Sequence, residues 1–135
     1  MTDFRRVTAT FAVSPQIRPE DVAAAAAQGF TTLINNRPDG EAPDQPTSAE
    51  IEAAARAAGL DYAYIPVVGR PSADQVRAVH DEVAAAKGPV LAFCRSGTRS
   101  INTWSLGEAL LEGRERAELV RLGGVAGYDL AGVLG

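Results

Sequence analysis

Pro89-Val90-Leu91-Ala92-Phe93-Cys94-Arg95-Ser96-Gly97-Thr98-Arg99-Ser100 is the stretch from which the rest of this chain can be read. Its first five residues have the length and branching of a buried strand. The residues after Ser100 carry a helical pattern, so CRSGTRS falls in the turn between the two. Such a turn aims successive backbone N–H groups inward, and the positive end of the following helix adds to them. Together they make a concave site for an anion. The only cysteine of the chain begins that turn, and a thiolate is favoured over a thiol at a helix N-terminus beside arginine. A helix end contributes at most about 2 kcal/mol. The remainder has to come from hydrogen bonds to the charged sulfur, about 1.5–3 kcal/mol each, donated by loop amides and the Ser100 hydroxyl. Gly97 is placed to turn the backbone with positive φ or to let a ligand approach. Cys94 and Arg99 are therefore the candidate catalytic pair, and Arg95, Ser96, Gly97, Thr98 and Ser100 the candidate anion-binding loop. The plain alternative, a buried structural cysteine before a basic turn, does not account for two arginines, a glycine and a serine in this order.

Working outward, helical and strand patterns alternate. Thr8 to Val13 reads as a strand, and Pro19 with Glu20 and Asp21 opens an alanine-rich helix that Gly29 closes. Phe30 to Asn35 is a second strand, followed by a loop from Asn36 to Pro46. Thr47 with Glu50 forms a capping box for a helix ending at Gly59, and Ser72 with Gln75 repeats it for a helix ending near Gly88. Tyr62 to Val67 lies between them as a strand. This order predicts an α/β fold, a mostly parallel sheet flanked by helices on both faces, in one domain over residues 1–135. Active loops then belong at the C-terminal ends of the strands, where Cys94 already lies. Glycines interrupt the tail, for which a short helix over Glu115 to Leu122 is expected. Gly127-Tyr128-Asp129-Leu130 either lines the site or packs the terminus.

Composition narrows the function classes. The 135 residues are 46% hydrophobic, yet no segment approaches the roughly 18 uninterrupted apolar residues of a membrane span. The first residues lack the apolar stretch of a signal peptide, so a cytoplasmic location is expected. One cysteine excludes an intramolecular disulfide and a multi-cysteine zinc site, and a reducing compartment would keep Cys94 free. No metal or cofactor is called for. A net charge of −4 without a Lys/Arg run argues against nucleic-acid binding. Anion affinity must be local.

CRSGTRS resembles the active-site loop of the rhodanese sulfurtransferases and, one residue short, the Cys/Arg loop of protein tyrosine phosphatases. Over nearly its whole length the chain resembles the phosphatase-like domain of beta-lactamase-hydrolase-like proteins. The similarity is carried by Val13-Ser14-Pro15-Gln16, Gly29-Phe30 through Ile34-Asn35-Asn36-Arg37-Pro38-Asp39-Gly40-Glu41, Ile65-Pro66-Val67, CRSGTRS and Gly127-Tyr128-Asp129-Leu130. The resemblance implies a tyrosine-phosphatase-like fold, to which both phosphatase and sulfurtransferase activities are attached.

Two departures separate those chemistries. In tyrosine phosphatases five residues lie between cysteine and arginine. Here only Arg95, Ser96, Gly97 and Thr98 intervene, the rhodanese-like length. That smaller cradle suits a sulfur carried on Cys94 as a persulfide and passed to a thiol or sulfite. Phosphatases of this type also use a general acid on the loop after the preceding strand, whereas Pro66-Val67-Val68-Gly69-Arg70-Pro71-Ser72 has no carboxylate. Sulfur transfer is therefore the first expectation and phosphate hydrolysis the second. A non-catalytic anion-binding or partner-docking domain is the third. Arg37, Asp39 and Arg70 are candidate substrate contacts, with Asp39 the remaining candidate acid. His80 is expected on a partly exposed helix face and Trp104 in the core. Expected partners are a small sulfur donor or acceptor, or a phosphorylated substrate. The resemblance also implies a persulfide-handling dioxygenase of metallo-beta-lactamase fold.

Overall fold

Side-chain alternation along one central strand divides the molecule into two cores. In the computed structural model, which describes residues 2–135, β5 (Val90–Phe93) has all four residues buried. Val90 and Ala92 join one core, and Leu91 and Phe93 join the other. A strand buried on both faces reads as a continuous apolar run, as parallel sheets require.

The sheet has the order β1-β2-β5-β3-β4. Strands β2 (Phe11–Ser14), β3 (Thr32–Asn35) and β4 (Asp61–Tyr64) run parallel to β5 or to one another, and only the two-residue β1 (Arg5–Arg6) is antiparallel. Register pairs Ser14 and Asn35 with Phe93 from either side. The C-terminal ends of three strands therefore meet beside Cys94.

Helices α1 (Pro19–Ala27) and α2 (Ser48–Ala57) cover the face of Leu33, Leu91 and Phe93. The opposite face, with Phe11, Val13 and Ile34, is covered by α3 (Ala73–Ala85), α4 (Thr98–Leu111), α5 (Arg116–Val125) and α6 (Ala131–Leu134). Trp104 of α4 stacks on Phe11 with centroids 4.9 Å apart and is buried, which makes it core, as expected. Each fully buried apolar side chain of this size contributes about 1.5–3 kcal/mol.

Both capping boxes form as read. Thr47 Oγ1 accepts from Glu50 N at 3.1 Å while Glu50 Oε1 accepts from Thr47 N. Ser72 and Gln75 make the same reciprocal pair. Boundaries differ where backbone donors are diverted. The strand expected from Thr8 starts only at Phe11, because Val7 and Thr8 both donate to Phe11 O in the turn that brings β1 back. The strand expected to reach Val67 stops at Tyr64. Pro66 has no N–H to continue a ladder, although Ile65 and Val67 still donate to Asn35 and Asn36. In the tail, α5 runs through Gly123 to Val125. A Cβ on Gly123 would meet Leu130 Cδ1 at 2.6 Å, so this glycine lets Leu130 close the core. Among the described residues, no helix is long and apolar enough to cross a membrane.

Candidate active site

Gly97 is the hinge of the CRSGTRS turn. Its φ of 95° is left-handed, it occupies the N-cap of α4, and its N–H donates to Cys94 Sγ at 3.1 Å. Cys94 has no solvent exposure. The loop is tied on two sides. Gln16 N donates to Arg95 O at 3.1 Å, and the Tyr128 hydroxyl donates to Ser96 O at 2.7 Å. The tail string thus does both things considered for it, since Leu130 is buried in the core while Tyr128 braces the loop. Ser100 differs from expectation. Its hydroxyl is buried without a partner among the described residues, so the sulfur takes an amide donor rather than this one. A buried hydroxyl left so costs about 1–3 kcal/mol, which an anion reaching it would recover.

Arg99 is held by a residue the sequence did not single out. Its Nη1 and Nη2 donate to the two carboxylate oxygens of Glu41, each at 2.8 Å, and Nη1 also donates to Val67 O at 2.9 Å. Glu41 Oε1 additionally accepts from Arg37 Nε at 2.9 Å. Arg37 is buried, and its Nη1 donates to Gln16 Oε1. Arg37, Arg95 and Arg99 line one cleft of about 450 Å³ with Glu41. The Arg99 hydrogen bonds hold the Glu41 carboxyl at about 2, below its ordinary 4.5, against the opposing effect of burial and with help from Arg37. Glu41 in turn raises the Arg99 pKa, and the neighbouring Cys94 adds to this. A carboxyl ionised down to about pH 2 has no proton to donate near neutrality.

Other expected residues fall elsewhere. The Asp39 carboxylate accepts from Ser48 N at 2.8 Å, at the start of α2. Its own N–H donates to the Tyr64 hydroxyl. That is an ordinary capping role, and Asp39 is not among the residues lining the Arg99 cleft. Arg70 lines a separate cleft with Arg77 and Leu110. His80 pairs with Glu112 at 2.6 Å near the end of α4, outside the Cys94 loop.

The five-stranded sheet, the two helical layers and the Cys94–Arg99 turn define a tyrosine-phosphatase-like α/β domain. Within that class the chain belongs to the family described as beta-lactamase hydrolase-like protein, phosphatase-like domain, which it matches over residues 3–111. A beta-lactamase hydrolase-like protein of Agrobacterium fabrum is 41% identical over 127 residues, covering 93% of this chain and 29% of that protein. One from Xylella fastidiosa is 38% identical over 120 residues, covering 88% and 28%. The chain thus spans less than a third of the length of these curated relatives. The crystal structure of a candidate phosphatase from Neisseria meningitidis superposes with a TM-score of 0.86 at 30% identity, covering 98% of this chain and 94% of that one. P. aeruginosa TpbA in complex with pTyr shares the fold at a TM-score of 0.68 and 20% identity, covering 94% and 76%.

Replacing Glu41 with glutamine removes the anion shared by two guanidinium groups. Two results are expected: lower stability, because buried Arg37 and partly buried Arg99 lose their shared partner, and tighter binding of orthophosphate, because Arg99 no longer has a competing carboxylate. Calorimetric titration at neutral pH checks the second, and weaker phosphate binding would count against it. The first has a pH signature. The folded-state pKa is depressed, so the Glu41 contribution is fully present above about pH 4.5 and is lost as pH falls toward about 2. Denaturation midpoints of Glu41→Gln should therefore approach those of the parent protein across that acid window.

Proposed function

We propose that this domain is a cysteine-dependent phosphatase in which Cys94 is the nucleophile and Arg99 orients and neutralises the transferring phosphoryl group. The observation that carries the reading is the sulfur of Cys94 receiving the Gly97 amide at the start of α4, in a loop whose arginine lines the adjoining cleft. Loop amides and Arg99 would face the oxygens on which charge develops. The Cys94 thiolate attacks phosphorus, the bond to the leaving oxygen breaks, and water then hydrolyses the cysteinyl phosphate, releasing orthophosphate and restoring the thiolate. Family membership and the N. meningitidis relative support this chemistry. That support favours it over sulfur transfer, the reverse of the order suggested by loop length.

The carboxylate that touches Arg99 is ionised, and Asp39 is engaged at α2. The leaving group therefore departs as an anion and takes its proton from solvent. Substrates with acidic leaving groups, such as aryl or acyl phosphates, should be preferred. Measured over a series of aryl phosphates, kcat/KM is expected to rise steeply as the pKa of the released phenol falls. A flat dependence would mean that a proton donor operates.

A second reading, sulfur transfer, is favoured by one specific observation: only four residues separate Cys94 from Arg99. Here the thiolate attacks the outer sulfur of thiosulfate, the S–S bond breaks, and sulfite leaves without needing a proton. The expected partners of that reading, an external thiol acceptor and a persulfide-consuming dioxygenase, belong to it alone. Side-by-side assays of aryl phosphate hydrolysis and thiosulfate-dependent transfer discriminate the two. Intact-mass measurement adds a direct mark, because a persulfide on Cys94 adds about 32 Da. Phosphate release without that adduct supports the phosphatase.

A further inference from the structure

The cleft beside Arg99 does not end there. A second cleft of about 380 Å³ adjoins it, and Arg37 and Arg95 line both. Arg18 and Asp44 complete the charged lining of the second. Four arginines thus face two carboxylates, Glu41 and Asp44, in a chain whose net charge is −4. So local an excess of positive charge on an acidic protein marks where an anion is drawn.

The carboxylates do not neutralise it. Both oxygens of Glu41 are already used by Arg99 and Arg37. Arg37 is the costly member, since its side chain is only 7% exposed. Its Nε and Nη1 are bonded within the protein. Its Nη2 has no acceptor among the described residues and is not fully buried, in a side chain that lines both clefts. Arg95 is exposed, and its guanidinium has no ion-pair partner among the described residues. Among the described residues Arg18 has only a surface pair with Glu20 at 3.2 Å, a contact that contributes little. One phosphoryl group on the Cys94 loop would engage the loop amides and Arg99, leaving Arg18, Arg95 and the free edge of Arg37 unmatched.

From this we infer that the site takes a small substrate carrying two anionic groups, one reacting at Cys94 and the other held by Arg18, Arg37 and Arg95 in the second cleft. The inference rests on the assignment of the reacting anion to the Cys94 loop, and it adds the substrate class. The second group is a carboxylate or phosphate, which planar guanidinium forks bind in bidentate fashion.

The test uses calorimetry on Cys94→Ser, which removes turnover, with methylphosphonate as the one-anion probe. Methylene-, propane-1,3- and hexane-1,6-bisphosphonate are the two-anion probes. One bisphosphonate length is expected to bind at least about tenfold more tightly than methylphosphonate, because the second contact becomes intramolecular. Adding Arg18→Ala or Arg95→Ala should remove most of that advantage. Two results would overturn the inference while leaving the phosphatase reading in place: no advantage at any length, or an advantage that survives both substitutions and so reflects bulk charge alone. Failure of methylphosphonate itself to bind would remove the reacting-anion assignment, and this inference with it.

Discussion

Turnover should fall by about 10⁴-fold or more in Cys94→Ser, while the fold and the affinity for orthophosphate persist. The size of the loss follows from the chemistry. A serine hydroxyl is a weak nucleophile unless a base activates it, and the carboxylate held by the loop arginine, Glu41, is already committed to Arg99 and Arg37. Serine is close in shape to cysteine, and position 94 is fully buried, so the substitution should fit without disturbing the Gly97 amide. Parallel measurement of kcat/KM, thermal midpoint and phosphate affinity separates loss of the nucleophile from loss of structure. Residual activity near that of the parent protein would sink both enzymatic readings.

Gly97→Ala is the second change of large effect. Two penalties meet at this position. With φ at 95°, any side chain costs about 1–2 kcal/mol. A Cβ there would also clash with the Tyr128 hydroxyl oxygen and meet Ser14 O at 3.4 Å, an overpacking cost of about 1–3 kcal/mol. Relief of the clash requires either the loop to move off Cys94 or Tyr128 to release Ser96 O. Activity should therefore drop together with stability. The double variant Gly97→Ala/Tyr128→Ala divides the effect, because it removes the contact with Tyr128 and leaves the backbone strain. Recovery of part of the stability, read by chemical denaturation, is the expected result. If Gly97→Ala alone were as stable as the parent protein, the close approach of Tyr128 would not be a feature of the folded state.

How legible the fold and site were in the sequence depended on whether the cause was local. The turn from Phe93 to Ser100 could be read because a strand end, a glycine and a helix start lie side by side, and the Gly97 amide on Cys94 Sγ is the outcome. The capping boxes at Thr47 and Ser72 were equally local, each settled within four residues. The early end of β4 was partly legible, since Pro66 cannot donate. Glu41 was not. It sits 58 positions from Arg99 in sequence within a string that also makes sense as a plain Pro-Asp-Gly turn, and no short-range pattern marks it as the partner of the loop arginine. For Tyr128 the sequence left two roles open, lining the site or packing the terminus, because the loop that its hydroxyl meets lies 32 positions away. Asp39 is a candidate contact or acid from its place after a strand, and what the sequence does not mark is that its carboxylate accepts from Ser48 N at the start of α2.

The position of β5 in the sheet has a consequence for how the chain is made. β2 and β3 do not pair with each other; each pairs with β5, which comes late in the sequence. As the polypeptide leaves the ribosome, the edges of β2 and β3 that face β5 have no partner until that late strand emerges. Unpaired strand edges are sticky, and contacts between segments distant in sequence form slowly. The arrival of Val90 to Phe93 seals both edges at once, so the segment that delivers Cys94 is also the one that closes the sheet.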